Sequence, residues 1–175
     1  PSFRQLAWLK LCAASVADQV GVEFEHIVQD AGSGPELATW ASTQPQLRLV
    51  TEKDQGMYDA VNRGFKKCKG EICAYLNCDE QYLPGALEAV KQAFAQAPEA
   101  EIVLADSVVV DPRGQFVCCR RSLVPLPLFA WTFVPTLTAA IFFRRRALEE
   151  FNLYFDTRWK GIGDAMWIRE AIRLR

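Results

Sequence analysis

The sequence predicts an α/β domain with a mainly parallel sheet covered by helices, and three observations predict it. Short apolar runs alternate with helical stripes from residue 23 to residue 110. The run EICAYLN at 71–77 is almost wholly apolar, as expected of a strand buried on both faces. Acidic residues follow the strand candidates, at the edge where open α/β sheets bind their ligands.

The elements follow in order. PSFRQLAWLKLCAASVADQ places Leu6, Leu9, Ala13 and Val16 at helical spacing. An α/β domain that opens on a helix lacks a strand, so the chain is expected to be a fragment. EFEHIVQ (23–29) reads as a strand running into the turn Asp30-Ala31-Gly32-Ser33-Gly34. Residues 35–43 form a short helix and LRLV (47–50) a second strand. Met57, Val61, Phe65 and Cys68 make a helical stripe over 57–68, which Lys69-Gly70 ends with a basic last turn and a glycine stop. The strand 71–77 comes next. Leu83, Leu87, Val90 and Phe94 then mark a helix, Pro98 lies beyond its end, and EIVLADSVVV (101–110) is a further strand region. Crossovers in such an order are right-handed. With no repeat and no linker, residues 1–175 read as one domain.

Composition narrows the function. Of 175 residues 50% are hydrophobic and 23% charged, enough for a real core. A net charge of −1 lacks the basic excess of a nucleic-acid binder. Cys12, Cys68, Cys73, Cys78, Cys118 and Cys119 contain no C-x-x-C pair and read as free thiols in a reducing compartment. The single histidine, His26, argues against a zinc site or a histidine-based triad. Positions 123–143 carry no charge between Arg120-Arg121 and Arg144-Arg145-Arg146. Pro125, Pro127 and Pro135 speak against a spanning helix. The segment is expected to be a loop followed by a buried strand at 138–143, with contact to a membrane or a lipid-linked substrate as the alternative.

The acids carry the chemistry. Asp30 follows the first strand, Glu52 and Asp54 the second, Asp79 and Glu80 the third, and Asp106 the fourth. Any one of them could be a turn or a helix cap. Together on one sheet edge they repel each other unless a cation intervenes. With oxygen ligands alone that cation is Mg²⁺ or Mn²⁺, which keeps one or two carboxylates and fills its other positions with water and phosphate oxygens. The edge therefore suggests a metal-bound phosphate or diphosphate. Neither G-x-x-x-x-G-K nor a G-x-G-x-x-G after a strand is present.

The stretches HIVQDAGS, TEKDQGMYDAVNRGFKKCKGEICAYLNCDEQYLPGAL and FDTRWKGIGDAMWIRE occur in the order of, and resemble, the inverting family 2 glycosyltransferases of the GT-A fold. The likeness is greatest to the branch, colanic-acid-type among others, that builds bacterial exopolysaccharide and lipopolysaccharide. The opening PSF is similar to the end of that family's first strand.

The resemblance implies a three-layer α/β/α domain. It implies a UDP- or GDP-linked sugar donor, a glycan or lipid-linked acceptor, and a cytoplasmic enzyme working at the inner membrane face. It also implies roles. Asp79, with Glu80 beside it, would hold the metal on the donor diphosphate, and Asn77 stands where many relatives carry the first acid of that motif. Asp30, Asp54, Gly56, Asp59, Asn62 and Arg63 would line the donor site, and Asp164 would be the catalytic base. Tyr58 fits packing as well as binding.

The chain departs from the family pattern in a shortened Gly32-Ser33-Gly34-Pro35 turn, in Thr138-Ala139-Ala140 before the FFR strand, and in Cys78 within the metal motif. Two rival readings remain at this point: a silent nucleotide-sugar-binding module, and a nucleotidyltransferase on a related fold.

Overall fold

A computed structural model of the chain describes residues 1–123 and 136–173. The amphipathic stripes become α1 (Leu6–Ala17), α2 (Pro35–Ala41), α3 (Met57–Phe65) and α4 (Ala86–Gln96), with α5 (Arg146–Glu150) and α6 (Gly163–Ile172) near the end. The strands are β1 (His26–Asp30), β2 (Leu47–Thr51), β3 (Ile72–Cys73), β4 (Ile102–Leu104), β5 (Ser107–Val110), β6 (Phe116–Arg120) and β7 (Ile141–Arg144). The fold class is α/β, as expected.

β1 and β2 run parallel from His26↔Leu47 to Asp30↔Thr51. Ser2 bridges Asp30 in the same parallel sense: its amide donates to the Gln29 oxygen at 2.8 Å and its carbonyl accepts from Ala31 at 3.0 Å. A second sheet has the order β3-β7-β4, with β7 antiparallel to both neighbours. β5 and β6 form a separate antiparallel hairpin with an irregularity at Val109/Val110. Parallel pairing is thus mixed with antiparallel pairing, because β7 enters the middle of its sheet from the far end of the chain.

Three expected elements are cut differently, each for a local reason. The apolar run 71–77 contributes only Ile72 and Cys73 to a ladder. Tyr75 instead packs edge-on against Phe65 and Phe155, so the apolarity of this run reports burial more than pairing. The strand region 101–110 is split into β4 and β5, and the Ser122 hydroxyl and amide hold the Ala105-Asp106 break. The strand expected at 138–143 is a 3-10 turn (Thr138–Ala140) followed by β7. Of the apolar segment 123–143, residues 124–135 lie outside the described residues. No helix among the described residues is long and apolar enough to cross a membrane.

β7 shows how the layers are held. Phe143, fully buried, faces Phe65 of α3 and Trp167 of α6 at ring distances of 5.3 and 5.4 Å. Its neighbour Phe142 faces the other way, into the cluster of Val90 and Phe94 of α4. Helices therefore cover both faces of the sheet. α1 joins the α4 layer through Gln19, whose amide donates to Leu83 O and whose carbonyl accepts from Leu87 N. β1 and β3 are not hydrogen-bonded to each other. Between them lies an apolar cavity of about 780 Å³, lined by Cys12, Val28, Phe65, Cys68, Cys73 and Phe142 among others.

His26, at the start of β1, yields a pH prediction. Burial lowers its imidazole to about 4. The unfolded chain binds the proton near the ordinary value of about 6.5. The folded state therefore binds fewer protons between those values, and the contribution of His26 is complete above pH 6.5 and lost as pH falls toward 4. Chemical denaturation across that window is expected to show a loss of roughly 3 kcal/mol from this group, and the loss should vanish in His26→Gln.

Candidate active site

Of the acids singled out in the sequence, Asp30 closes β1, Asp59 and Asp164 lie on α3 and α6, and Glu52, Asp54, Asp79, Glu80 and Asp106 lie on loops after strands; none of them lines the apolar cavity. Asp30 ends β1 with a fully buried carboxylate. Its Oδ2 accepts the Gly32 and Ser33 amides at 2.9 and 2.8 Å, and Oδ1 accepts the Ser33 hydroxyl. The short glycine-rich turn is therefore organised by Asp30 itself. After β2, Asp54 accepts the Gly56 amide at 3.0 Å. Gly56 then turns the chain into α3 at φ +123°, a conformation that suits glycine alone.

α3 exposes one charged face and buries the other. On the charged side Asp59 accepts the Gln55 amide at 3.0 Å and the Arg63 guanidinium at 3.0–3.1 Å. The hydrogen bond from Arg63 holds the Asp59 carboxyl below the usual range. Arg63 also reaches Glu52 at 3.5 Å, and Lys67 Nζ donates to Glu52 at 3.1 Å and to Gln29 at 3.3 Å. Lys67, the largest influence, keeps the Glu52 carboxyl low. These half-buried pairs, still open to solvent on one side, fix side-chain positions and add little stability. Neither Lys67 nor Gln29 stood out in the sequence. The spacing 59, 63, 67 on one helix stripe was the available signal.

The inner side of α3 works differently. Asn62 is buried, and its amide is committed to the backbone of Phe155: Nδ2 donates to the Phe155 oxygen at 2.8 Å, and Oδ1 accepts the Phe155 amide at 2.9 Å. Asn62 thus clamps α3 to the segment that leads into α6. Tyr58, one turn earlier, stacks on Phe155 at 5.1 Å and 5°. Its hydroxyl accepts the Asp164 amide at 3.1 Å and points to Asp164 Oδ1 at 3.4 Å. A Cβ on Gly163 would lie 2.3 Å from the Tyr58 ring, so only glycine leaves room for this contact. Asp164 also accepts the Ala165 amide at 2.9 Å, in the first turn of α6.

The third strand's acids sit on a tight turn. Glu80 accepts the Asn77 amide at 2.7 Å, and its own amide donates to the Asn77 oxygen at 3.1 Å. Burial pushes the Glu80 carboxyl up, and the Asn77 bond pulls it back in part. The Cys78 thiol donates to the Pro1 oxygen at 3.1 Å, which brings this turn to the Asp30 end of β1. Tyr75, its hydroxyl pKa raised mainly by burial, also feels the charges of Glu80 and Asp164. Lys160 Nζ reaches Gln55 O at 3.4 Å, which closes the loop before α6 onto the loop before α3. These contacts gather the Asp30 turn, the loop 54–56, the turn 77–80 and the start of α6 around one edge.

Asp79 differs from all of these. It is exposed, and among the described residues no group donates to its carboxylate. No three His, Cys, Asp or Glu side chains among the described residues converge as a metal cage. Asp79 therefore presents an open carboxylate, an oxygen-donor type that Mg²⁺ or Mn²⁺ accepts when phosphate and water supply the rest.

The glycosyl transferase family 2 model matches residues 1–151. The chain belongs to that family. Among curated relatives of this family 2 chain, O-antigen biosynthesis protein RfbC of Myxococcus xanthus is 32% identical over 114 residues, covering 62% of this chain and 9% of that protein. The PGL/p-HBAD biosynthesis glycosyltransferase of Mycobacterium bovis is 30% identical over 115 residues, covering 62% of this chain and 45% of that protein. The chain thus spans less than half the length of these two relatives.

Solved structures support the fold. Residues 1–349 of Staphylococcus aureus TarS, crystallised with UDP-GlcNAc, superpose with a TM-score of 0.78 at 18% identity, over 99% of this chain and 52% of that one. The mannosyltransferase PcManGT of Pyrobaculum calidifontis, in complex with GDP-Man and Mn²⁺, gives a TM-score of 0.67 at 20% identity, over 95% and 48% of the two chains. The GT-A fold expected from the sequence is the fold of this family 2 domain.

Proposed function

We propose that this family 2 domain transfers a sugar, with inversion, from a UDP- or GDP-linked donor to a hydroxyl of a glycan or lipid-linked acceptor in cell-surface polysaccharide synthesis. The observation that carries the reading is the contrast at the acidic edge. Asp30, Glu52, Asp54, Asp59, Glu80 and Asp164 are engaged by hydrogen bonds within the protein, while Asp79 is left open. An exposed carboxylate on the turn after the third strand is available to a cation that arrives with a diphosphate. The donors named with TarS and PcManGT, UDP-GlcNAc and GDP-Man, supply the donor class. The names of the RfbC and PGL/p-HBAD relatives supply the setting of surface-glycan synthesis. Contact of 123–143 with a membrane belongs to the same reading.

In this mechanism Asp79, with Glu80 beside it, would hold Mg²⁺ or Mn²⁺. The bound ion would supply Lewis-acid relief of the charge on the departing diphosphate. Asp30, Asp54, Gly56, Asp59, Arg63 and Asn77 lie on the donor side, and Asn62 acts from behind them by fixing Phe155. Asp164 accepts the proton of the acceptor hydroxyl as that oxygen attacks the anomeric carbon, a single displacement that inverts the centre. Tyr58 holds Asp164 from the side of α3.

Calorimetric titration of UDP and GDP into the full-length protein, with and without Mn²⁺, tests the donor site. Binding is expected to need the metal, and Asp79→Asn is expected to weaken it about 10–100-fold, the size of one lost charge-assisted contact. A folded protein that binds neither nucleotide would sink the reading. Metal-dependent binding without sugar transfer would favour the silent binding module instead.

A further inference from the structure

Two thiols that take no part in the acidic edge lie against each other. The Sγ atoms of Cys68 and Cys73 are 3.3 Å apart, one in the turn after α3 and the other on β3. Cys73 is buried, whereas Cys68 is half-buried, with its sulfur 2.9 Å from the Phe65 oxygen. The turn between them is fixed from outside. The Lys69 and Gly70 amides both donate to Glu25 Oε1, Arg145 Nε donates to Gly70 O at 3.1 Å, and Arg145 N donates to Glu71 O at 2.7 Å. The two sulfurs are thus held in contact by the backbone on both sides of them. A disulfide requires about 2.0 Å between sulfurs, so the two atoms need to approach by roughly 1.3 Å. Both residues also line the cavity between β1 and β3, through which a small oxidant can reach them.

We infer that Cys68 and Cys73 are a reversible oxidation site that closes to an intramolecular disulfide on exposure to a peroxide. The Cys68 thiolate attacks one oxygen of hydrogen peroxide. An S–O bond forms, the O–O bond breaks, and the departing hydroxide takes a proton to leave as water. Cys73 sulfur then attacks the Cys68 sulfenic acid. The S–S bond forms, the S–O bond breaks, and a second water leaves with the Cys73 proton. Two thiols are oxidised, one peroxide is reduced to two waters, and a dithiol reductant reverses the result.

The assignment of Cys68 as attacking thiol follows from its exposure and from the hydrogen bond of Cys73, which lowers the Cys68 pKa. Cys12, on the same cavity, is pushed up to about 12 by burial and stays a thiol. The bond would tie α3, with Asp59 and Arg63, to the strand that leads to Asp79.

The test exposes the folded full-length protein to hydrogen peroxide, alkylates the remaining thiols and maps the peptides by mass. The expected product is a peptide pair joined through Cys68 and Cys73, two hydrogens lighter than the dithiol and restored by dithiothreitol. In Cys73→Ala, where no resolving thiol remains, Cys68 is expected to proceed to sulfinic and sulfonic acid. The proposal is overturned if both residues of the wild type stay alkylatable after peroxide. It is equally overturned if either one cross-links to Cys12, Cys78, Cys118 or Cys119, or if wild-type Cys68 goes to the sulfinic acid with Cys73 still reduced.

Discussion

Asp164→Asn is expected to lower sugar transfer by roughly 10²–10⁴-fold, the range that a positioned base contributes. Nucleotide affinity measured in the same preparation should be unchanged. The split follows from the local geometry. An asparagine keeps an oxygen for the Ala165 amide at the start of α6, and the Asp164 amide can still donate to Tyr58. The substitution therefore removes the ability to take a proton and little else. A variant that lost nucleotide binding in parallel with turnover would assign Asp164 to the donor side and leave the base to be found elsewhere. Comparison with Asp79→Asn makes the distinction sharper, because that change should act first on metal-dependent binding.

Gly163→Ala should destabilise the protein although alanine is the better helix former. Within a helix the exchange ordinarily gains up to about 1 kcal/mol, and Gly163, the first residue of α6, could gain no more than that. Here the new Cβ would meet Tyr58 ring atoms at 2.3, 2.7 and 2.8 Å. The ring has no easy retreat, since it is buried, stacked on Phe155 and bonded through its hydroxyl to Asp164. Overpacking of this kind costs about 1–3 kcal/mol and more when the neighbour is pinned, so the net sign is unfavourable. Thermal or denaturant unfolding measures it. Combining Gly163→Ala with Tyr58→Val should recover part of the loss, because the two changes share one contact. A wild-type midpoint for Gly163→Ala alone would mean that the ring moves aside freely, and with it the hold on Asp164.

How much of this was legible beforehand depends on what each signal encodes. The stripes of α1, α3 and α4 name most of the face each helix buries: Leu9, Val16, Val61, Phe65, Val90 and Phe94 are buried, whereas Met57 and Leu83, the first residues of the α3 and α4 stripes, are exposed. The direction of β7 is not encoded locally. Ile141, Phe142 and Phe143 are apolar whichever way the strand runs, and its antiparallel place between β3 and β4 follows from the partners it meets. The run 71–77 misleads for a related reason: Tyr75 is apolar surface for a core of rings, and burial alone does not make a ladder. Among the acids, position after a strand was readable for Asp30, Asp54 and Asp79. What each carboxylate is engaged with was not, because the partners of Glu52 and Asp59 come from the next helix turns and those of Asp164 from a residue far away in the chain. Asn62 shows the limit most clearly. Its place in the YDAVNRG stretch suggests a ligand contact, while its amide is occupied by a backbone 93 positions on.

The place of β7 has a consequence for the order in which the domain can form. β3 and β4 touch no common ladder until residues 141–144 arrive between them, since Ile72 pairs with Arg144 and Leu104 with Ile141. On a ribosome, α4 would emerge well before the central strand that its Val90 and Phe94 must cover. Loop closure over such separations is paid before the pairing rewards it, which slows folding relative to a strand order that follows the chain. A nascent chain halted before residue 141 would hold α4 without the central strand it covers, and the exposed Val90 and Phe94 would be a natural substrate for chaperones.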